Sequence, residues 1–440
     1  MASDLLWVLI VLLFAVPGLK FPYLALCGVI FVDIVRPQTL SYSFLAGKPL
    51  SLFILLIFFT SLLINWKQLS IPRNKKSTIA LIFFMGWITL ATYHAEFQSV
   101  AWVKYDYVIK FLLLPLFIPF VLNSRVKIDT FIAVMVCSVS FFTMILGMKF
   151  ITGGHGYEQS FIYSTAENTG MTESSTMAML AVMNLPFIIY LLRYSIFKDK
   201  IPFFKPASYF LGFTCILSAI GSYARTGLLG LFIWVVLLLK QSQKKFKYSL
   251  IIFICALLFI PFAPPDWVER MNSTKSTSTD TSALGRIVVW KWTIDYVSER
   301  PLMGGGFQSF LANAGELNSY VDEDIGIEIN QPVAFHNIYF EVLGELGYVG
   351  LFIYLWIIYL AFSVNPVLLN TNKSENWMNA QVSARKQALL LYCVCGSFIG
   401  VAYYPWLFYL LGLAISLDNV CSAKDDDQDK LPTRRRGPNP

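Results

Sequence analysis

Charge is scarce in this sequence. Of its 440 residues, 14% are Asp, Glu, Lys or Arg and 56% are hydrophobic. Soluble domains carry about 25% charged and about 45–50% apolar residues, so a soluble enzyme is excluded. Histidine is scarcer still, with three residues in all: His94, His155 and His336. The seven cysteines show no spacing of a zinc site or a disulfide framework, and Cys393-Val394-Cys395 reads as helix packing. No internal repeat and no nucleotide fingerprint occurs. Gly304-Gly305-Gly306 lacks both the preceding strand and the Lys-Ser/Thr of a phosphate loop, and is a turn signal. The nearest approach to an Asp-x-Asp metal motif is Asp322-Glu323-Asp324, which reads as a solvated acidic patch. A net charge of +7 raises the question of a nucleic-acid partner, but the positives sit in short stretches between apolar runs. No nucleic acid is expected.

What is present is apolar sequence in long runs. Spans are expected near 4–19, 21–35, 49–65, 78–94, 107–122, 129–150, 174–194, 207–223, 226–240, 249–263, 336–363, 386–403 and 405–418. A crossing helix needs about 17–25 apolar residues, so the chain reads as an all-α polytopic membrane protein with about 12–13 transmembrane helices. The first run is not a cleaved leader, because the apolar pattern resumes at once after Pro17-Gly18-Leu19-Lys20. The first two runs are short enough to form a half-crossing hairpin.

Loops 66–77, 123–128, 193–205, 240–248, 364–386 and the C-terminal tail hold 22 of the 34 Lys and Arg. The positive-inside rule assigns them to the cytoplasm, and their alternates to the opposite face. One alternate, 264–335, is long enough to be functional. The chain therefore divides into N-terminal membrane helices (1–263), a large outer loop (264–335), C-terminal membrane helices (336–418) and a cytoplasmic tail (419–440). Within the loop, Ile287, Trp290, Ile294 and Val297 recur at helical spacing, as in an amphipathic helix lying on the membrane or capping the bundle.

Charged groups at the rim of such a bundle are functional candidates. Arg225 sits in a hinge of almost no length just before the helix at 226–240, where N–H groups and a guanidinium fork suit an anion. Arg286 opens the amphipathic segment. Arg270 is weaker, since Asp266 and Glu269 can neutralise it. His336 begins the helix that returns from the large loop, with Asn337 beside it and with Glu341 and Glu345 on one face at i, i+4. Imidazole titrates near neutrality and suits a general base. His94 lies at the end of an apolar run and His155 in a glycine-rich loop. One histidine and two or three arginines, without a Cys/His set or a paired-Asp site, point to anion binding with base catalysis and no metal or other cofactor. The lipid-borne anion of a membrane surface is a pyrophosphate.

Three motifs resemble the bacterial O-antigen ligase and polymerase superfamily of membrane glycosyltransferases. They are Tyr223-Ala224-Arg225-Thr226-Gly227, then Arg286 with Trp290 and Glu299-Arg300-Pro301-Leu302-Met303-Gly304-Gly305-Gly306-Phe307, then His336-Asn337 with Gly344, Gly347 and Gly350. Trp267-Val268-Glu269-Arg270-Met271 and the run after His336 are similar to the exosortase-associated O-glycosylation ligase branch. The motifs cover about residues 220–350. The sequence departs from the family at Ala224, where Ser is frequent, so a hydroxyl is missing beside Arg225.

The resemblance implies a multi-pass protein of the bacterial inner membrane whose site faces the periplasm. It implies a metal-independent, inverting transfer of a glycan from an undecaprenyl-pyrophosphate donor to a hydroxyl on lipid A core, protein or polysaccharide. By matched position His336 would be the base, and Arg225 and Arg286 would hold the pyrophosphate; beside the resemblance, Arg270 is read as a further pyrophosphate-binding residue and Asn337 and Glu341 as supporting the site. The partners are the lipid-linked donor, that acceptor and the surrounding membrane lipids. Three alternatives stay open: a polymerase of lipid-linked repeat units, a flippase or exporter of lipid-linked oligosaccharide, and a scaffold of an export complex.

Overall fold

The computed structural model describes residues 2–72, 74–152, 173–247, 249–250, 254, 267–268, 281–321, 328–364 and 376–429. Among these residues the protein is helical and has no strand. The helices are α1 (Ala2–Gly18), α2 (Pro22–Val35), α3 (Pro37–Leu40), α4 (Leu50–Ile64), α5 (Lys75–Tyr93), α6 (Gln98–Val121) and α7 (Arg125–Ile151). They continue as α8 (Ser174–Tyr194), α9 (Phe204–Gly221), α10 (Arg225–Gln241), α11 (Thr281–Glu299), α12 (Ile338–Ser363), α13 (Asn376–Gly396) and α14 (Pro405–Asp429).

Five helices among the described residues are long and apolar enough to cross a membrane: α5, α7, α8, α12 and the Pro405–Ser422 part of α14. Stretches of α1, α2 and α4 are equally apolar but shorter. This is an all-α polytopic membrane protein. The expected span 249–263 lies almost wholly outside the described residues; each of the other twelve falls on a helix.

α8 and α14 form the centre, since nearly every residue of each apolar window is buried. α7, α9, α10 and α13 surround α8, while α6, α12 and α13 pack on α14. In α8 the buried set includes Met177, Met179, Leu180, Met183 and Phe187 on all sides, the pattern of a helix enclosed by other helices rather than by one face.

Several expected boundaries move, for one reason. The span placed at 107–122 begins at Gln98, because Lys104, Asp106 and Lys110 break the apolar run without breaking the helix. The span placed at 386–403 occupies Asn376–Gly396 instead. Arg385, counted with the loop charges, is fully buried in α13. It donates to the carbonyls of Ala361 and Val364, capping the C-terminal end of α12, where carbonyls lack intrahelical partners. α14 runs on to Asp429, past its expected end near 418.

The amphipathic helix of the large loop forms as α11, but its buried face is only partly the expected row: Val297 is buried and Trp290 half-buried, while the two isoleucines face outward. Val289, Trp292, Tyr296 and Val297 are buried, whereas Ile287 and Ile294 are 46% and 49% exposed. The helix packs against Leu317, Phe335 and Leu343 in a small core of its own. The indole of Trp292 donates to Glu316 at 2.6 Å, and this polar anchor turns the aromatic row, not the isoleucine row, inward.

Candidate active site

The site is built around the start of α12. The chain turns at His336, which takes a left-handed φ of 46°, and then extends at Asn337. The Asn337 side chain accepts from the N–H groups of Tyr339 and Phe340 and donates to the Ser397 carbonyl at 2.9 Å. Asn337 is thus the N-cap of α12 and fixes it to the end of α13.

His336 is half-buried, and its charged neighbours are Arg286 and Glu341. Burial first, then the Arg286 guanidinium, hold its imidazole below the usual histidine value, while Glu341 acts in the other direction. The ring is therefore neutral near pH 7. A Cβ on Gly400 would stand 3.7 Å from Glu341 Oε2 and 3.9 Å from His336 N, so carboxylate and histidine backbone meet against the same glycine. Glu173, just ahead of α8, faces Arg286 and Glu341 as well. Burial pushes its carboxyl above the usual carboxylate range, with Arg286 opposing and Glu341 adding to the rise.

Arg286 reaches this point because α11 is docked through Trp290. The indole stacks on Phe340 with ring centres 5.3 Å apart and planes 3° from parallel. Its nitrogen donates to the Phe335 carbonyl at 2.8 Å. Arg286 lies one helical turn before Trp290 and shares its face.

Below the histidine, α12 is interrupted. Gly347 has φ 69° and ψ −171°, a conformation essentially confined to glycine. The turn Gly304-Gly305-Gly306 docks into the gap. Gly305 N–H donates to the Gly344 carbonyl at 2.9 Å, Gly306 N–H to the Glu345 carbonyl at 3.0 Å, and Tyr348 N–H to the Pro301 carbonyl at 2.9 Å. A Cβ on Gly304 would meet the Gly344 carbonyl at 2.5 Å. The glycines of the second and third motifs are therefore one interlocking structure.

Arg225 is the first residue of α10 and its side chain is exposed. The hinge before it turns on Tyr223 at φ 55° and on Ser222, whose hydroxyl accepts from Ala224 N–H at 3.1 Å. Ala224 stands at the N-cap without a capping side chain. The next residue, Thr226, accepts from Cys395 Sγ at 3.7 Å; two residues on is Ser397, the partner of Asn337. Arg225, Arg286 and His336 thus occupy the same end of the bundle, with Arg286 and His336 in electrostatic contact. Arg270 lies outside the described residues, as do His155 and Asp322-Glu323-Asp324. His94 is an exposed C-cap of α5.

Two site residues were not legible as such. Lys104, inside α6, forms ion pairs at 2.9 Å with both Glu341 and Glu345. In sequence it reads as a loop charge, and its i, i+2 and i, i+6 relation to Asp106 and Lys110 gives no hint of a distant partner. Glu173 follows a polar, glycine-containing stretch and is separated from Glu341 by 168 positions, so only the fold brings them together. Glu341 and Glu345 do share a face, as their spacing requires.

Two family models match the chain. Residues 2–196 match a family of unknown function, and residues 210–355 match the O-antigen ligase family. The second segment contains Arg225, Arg286 and His336. The chain is also 25% identical, over 173 residues, to a Rickettsia felis protein named "Putative polysaccharide ligase". That similarity covers 39% of this chain and 39% of the relative. These matches bear on the superfamily and not on its exosortase-associated branch.

Proposed function

We propose that this chain, whose residues 210–355 match the O-antigen ligase family, moves a glycan from undecaprenyl pyrophosphate to an acceptor hydroxyl. The observation that carries this reading is the half-buried imidazole of His336 beside a guanidinium and a carboxylate at one end of a membrane bundle. A neutral imidazole can take a proton, and a fixed guanidinium can hold a phosphate.

In the proposed step the acceptor oxygen bonds to the anomeric carbon as the bond from that carbon to the pyrophosphate oxygen breaks. The hydroxyl proton passes to His336, and the electron pair leaves with the pyrophosphate. Attack from the face opposite the leaving group inverts the anomeric configuration. Arg225 and Arg286 bind the pyrophosphate and stabilise the charge it gains, an effect that is strong where water is excluded. Arg270 is proposed to join them. Asn337 and Glu341 keep the histidine in position. No metal is required by this chemistry.

The sidedness has support from the same geometry. The connections richest in Lys and Arg, such as 66–77, 123–128 and 193–205, join helix ends on the face opposite His336. Ser70 N–H donates to Phe120 O, and Arg125 donates to Tyr194 O, at that far end. The positive-inside rule favours a cytoplasmic location for that end, which supports a transfer site on the periplasmic face of an inner membrane.

The test is reconstitution of the purified protein in vesicles with undecaprenyl-pyrophosphate glycan, candidate acceptors and EDTA. Wild type is expected to consume donor and His336→Ala to lose about 10²–10⁴-fold of that rate. Product mass then separates single transfer from polymerisation, since the two differ only in acceptor. Movement of intact donor across the bilayer without consumption would make the protein a transporter instead.

A further inference from the structure

Inside the helices, next to the proposed base, lies an ionic cluster with an odd charge count. Lys104 Nζ is 2.9 Å from Glu341 Oε1, 2.9 Å from Glu345 Oε1 and 3.0 Å from Glu345 Oε2. The side chains are 17%, 10% and 1% exposed. The ammonium also lies 5.2 Å from the Phe307 ring centre and 4.8 Å from that of Tyr403, which favours a cation there. Each carboxylate has a second anchor: Gln308 N–H donates to Glu345 Oε1 at 2.9 Å, and Ala402 N–H to Glu341 Oε2 at 3.0 Å.

One ammonium between two carboxylates leaves one negative charge in excess. Glu345 is enclosed and far from solvent, whereas Glu341 faces His336. Charges facing the histidine come from two elements, Arg286 of α11 and Glu341 of α12, and Glu173 ahead of α8 lies within the electrostatic reach of both. When the ring gains a proton it becomes a cation next to Arg286, and Glu341 is the anion nearest to compensate it. Lys104 belongs to α6, in the segment that matches the family of unknown function, whereas its partners Glu341 and Glu345 lie in the segment that matches the O-antigen ligase family.

We propose that Lys104 is a positioning residue of the transfer site: held between Glu341 and Glu345, it keeps Glu341 as the fixed counter-charge for the His336 imidazolium formed during transfer. The N-terminal segment thereby contributes directly to the chemistry of the ligase segment. This rests on His336 being the base. Lys104 itself touches neither the donor nor the acceptor in this scheme; it acts through Glu341.

The substitution Lys104→Met leaves two carboxylates facing each other without a cation, and like charges so placed share a proton. Activity then depends on two proton losses instead of one. Lys104→Met/Glu345→Gln removes one charge of each sign, which restores the wild-type net charge with Glu341 as the remaining anion. Donor consumption is measured on full-length protein in vesicles across the range in which imidazole titrates, per molecule of monodisperse protein. Lys104→Met is expected to lose about 10–100-fold in kcat with little change in KM, and its acid limb is expected to steepen. The double variant regains rate and the single-proton limb, and Lys104→Arg stays near wild type.

A Lys104→Met enzyme with wild-type rate and limb overturns the proposal. So does a double variant no more active than Lys104→Met, because a merely structural lysine is not rescued by deleting a second charge. His336→Ala, run alongside, separates the two ideas: full activity there removes the base assignment, whereas inactivity there with an unaltered Lys104→Met removes only the role of Lys104.

Discussion

Trp290 lies flat on Phe340, ring centre to ring centre 5.3 Å, and its indole nitrogen donates to the carbonyl of Phe335. One side chain thus fixes the amphipathic helix α11 to both the residue before His336 and the first turn of α12. Arg286 depends on that docking for its place beside the histidine.

Removing the anchor should therefore uncouple Arg286 from His336. Stacking of this kind is worth about 0.5–1.5 kcal/mol and the hydrogen bond about 1 kcal/mol. Trp290→Ala is expected to lower kcat/KM for the donor about tenfold, while Trp290→Phe, which keeps the stack, loses about half that free energy. Equal losses in the two variants would show that the stack does not position Arg286. Steady-state kinetics at a single pH suffices.

The pH dependence has a definite sign. Burial and Arg286 depress the His336 imidazole, so the base form persists below the pH at which a free histidine would be protonated. The acid limb of kcat/KM is expected below the ordinary histidine value of about 6.5. Arg286→Gln removes one of the depressing causes, so its limb should move upward in pH, alongside a fall in kcat of about 10²–10³. A limb that stays fixed in Arg286→Gln would place the titrating group elsewhere.

Glycine at 347 is required by backbone conformation as well as by space. At φ 69° and ψ −171° an added Cβ would sit 2.3 Å from the Leu302 carbonyl oxygen. Gly347→Ala is expected to cost about 3 kcal/mol or more and to sharply reduce the yield of monodisperse protein in size-exclusion chromatography. Gly86, exposed in α5 with nothing within 4 Å of its missing Cβ, is the control. Gly86→Ala should be neutral or stabilising by about 0.5–1 kcal/mol.

The membrane bundle was legible in the sequence because apolar runs of helix length have few alternatives. The helix in the large loop was legible too, although its inward face was not: both the Ile287–Ile294 row and the Val289–Trp292–Tyr296 row recur at helical spacing. The Trp292–Glu316 hydrogen bond separates them, and it spans 24 positions. His336 and Arg286 stood out because rare charged groups fell at the rim of an apolar bundle, and the structure brings them together. Lys104 was hidden for the same reason that they were visible. A charge that interrupts an apolar run reads as a loop until its partners, here Glu341 and Glu345, are known to lie opposite. Arg385 was hidden likewise, as a loop cation that in fact caps α12 from within α13.

The break at Gly347 has a consequence for how this chain enters lipid. The carbonyls of Gly344 and Glu345 and the N–H of Tyr348 are satisfied by Gly305, Gly306 and Pro301, not by their own helix. In hydrocarbon, backbone groups left without partners cost several kcal/mol each. α12 cannot settle in the bilayer as a finished span and wait for the preceding loop to find it; insertion and loop closure are a single event. Since Glu96 N–H in turn donates to the Gly305 carbonyl at 2.9 Å, the junction of α5 and α6 must already be in place to receive it. Assembly order is thus written into one glycine turn, and residues 210–355 made without the N-terminal helices would lack the receptor for α12.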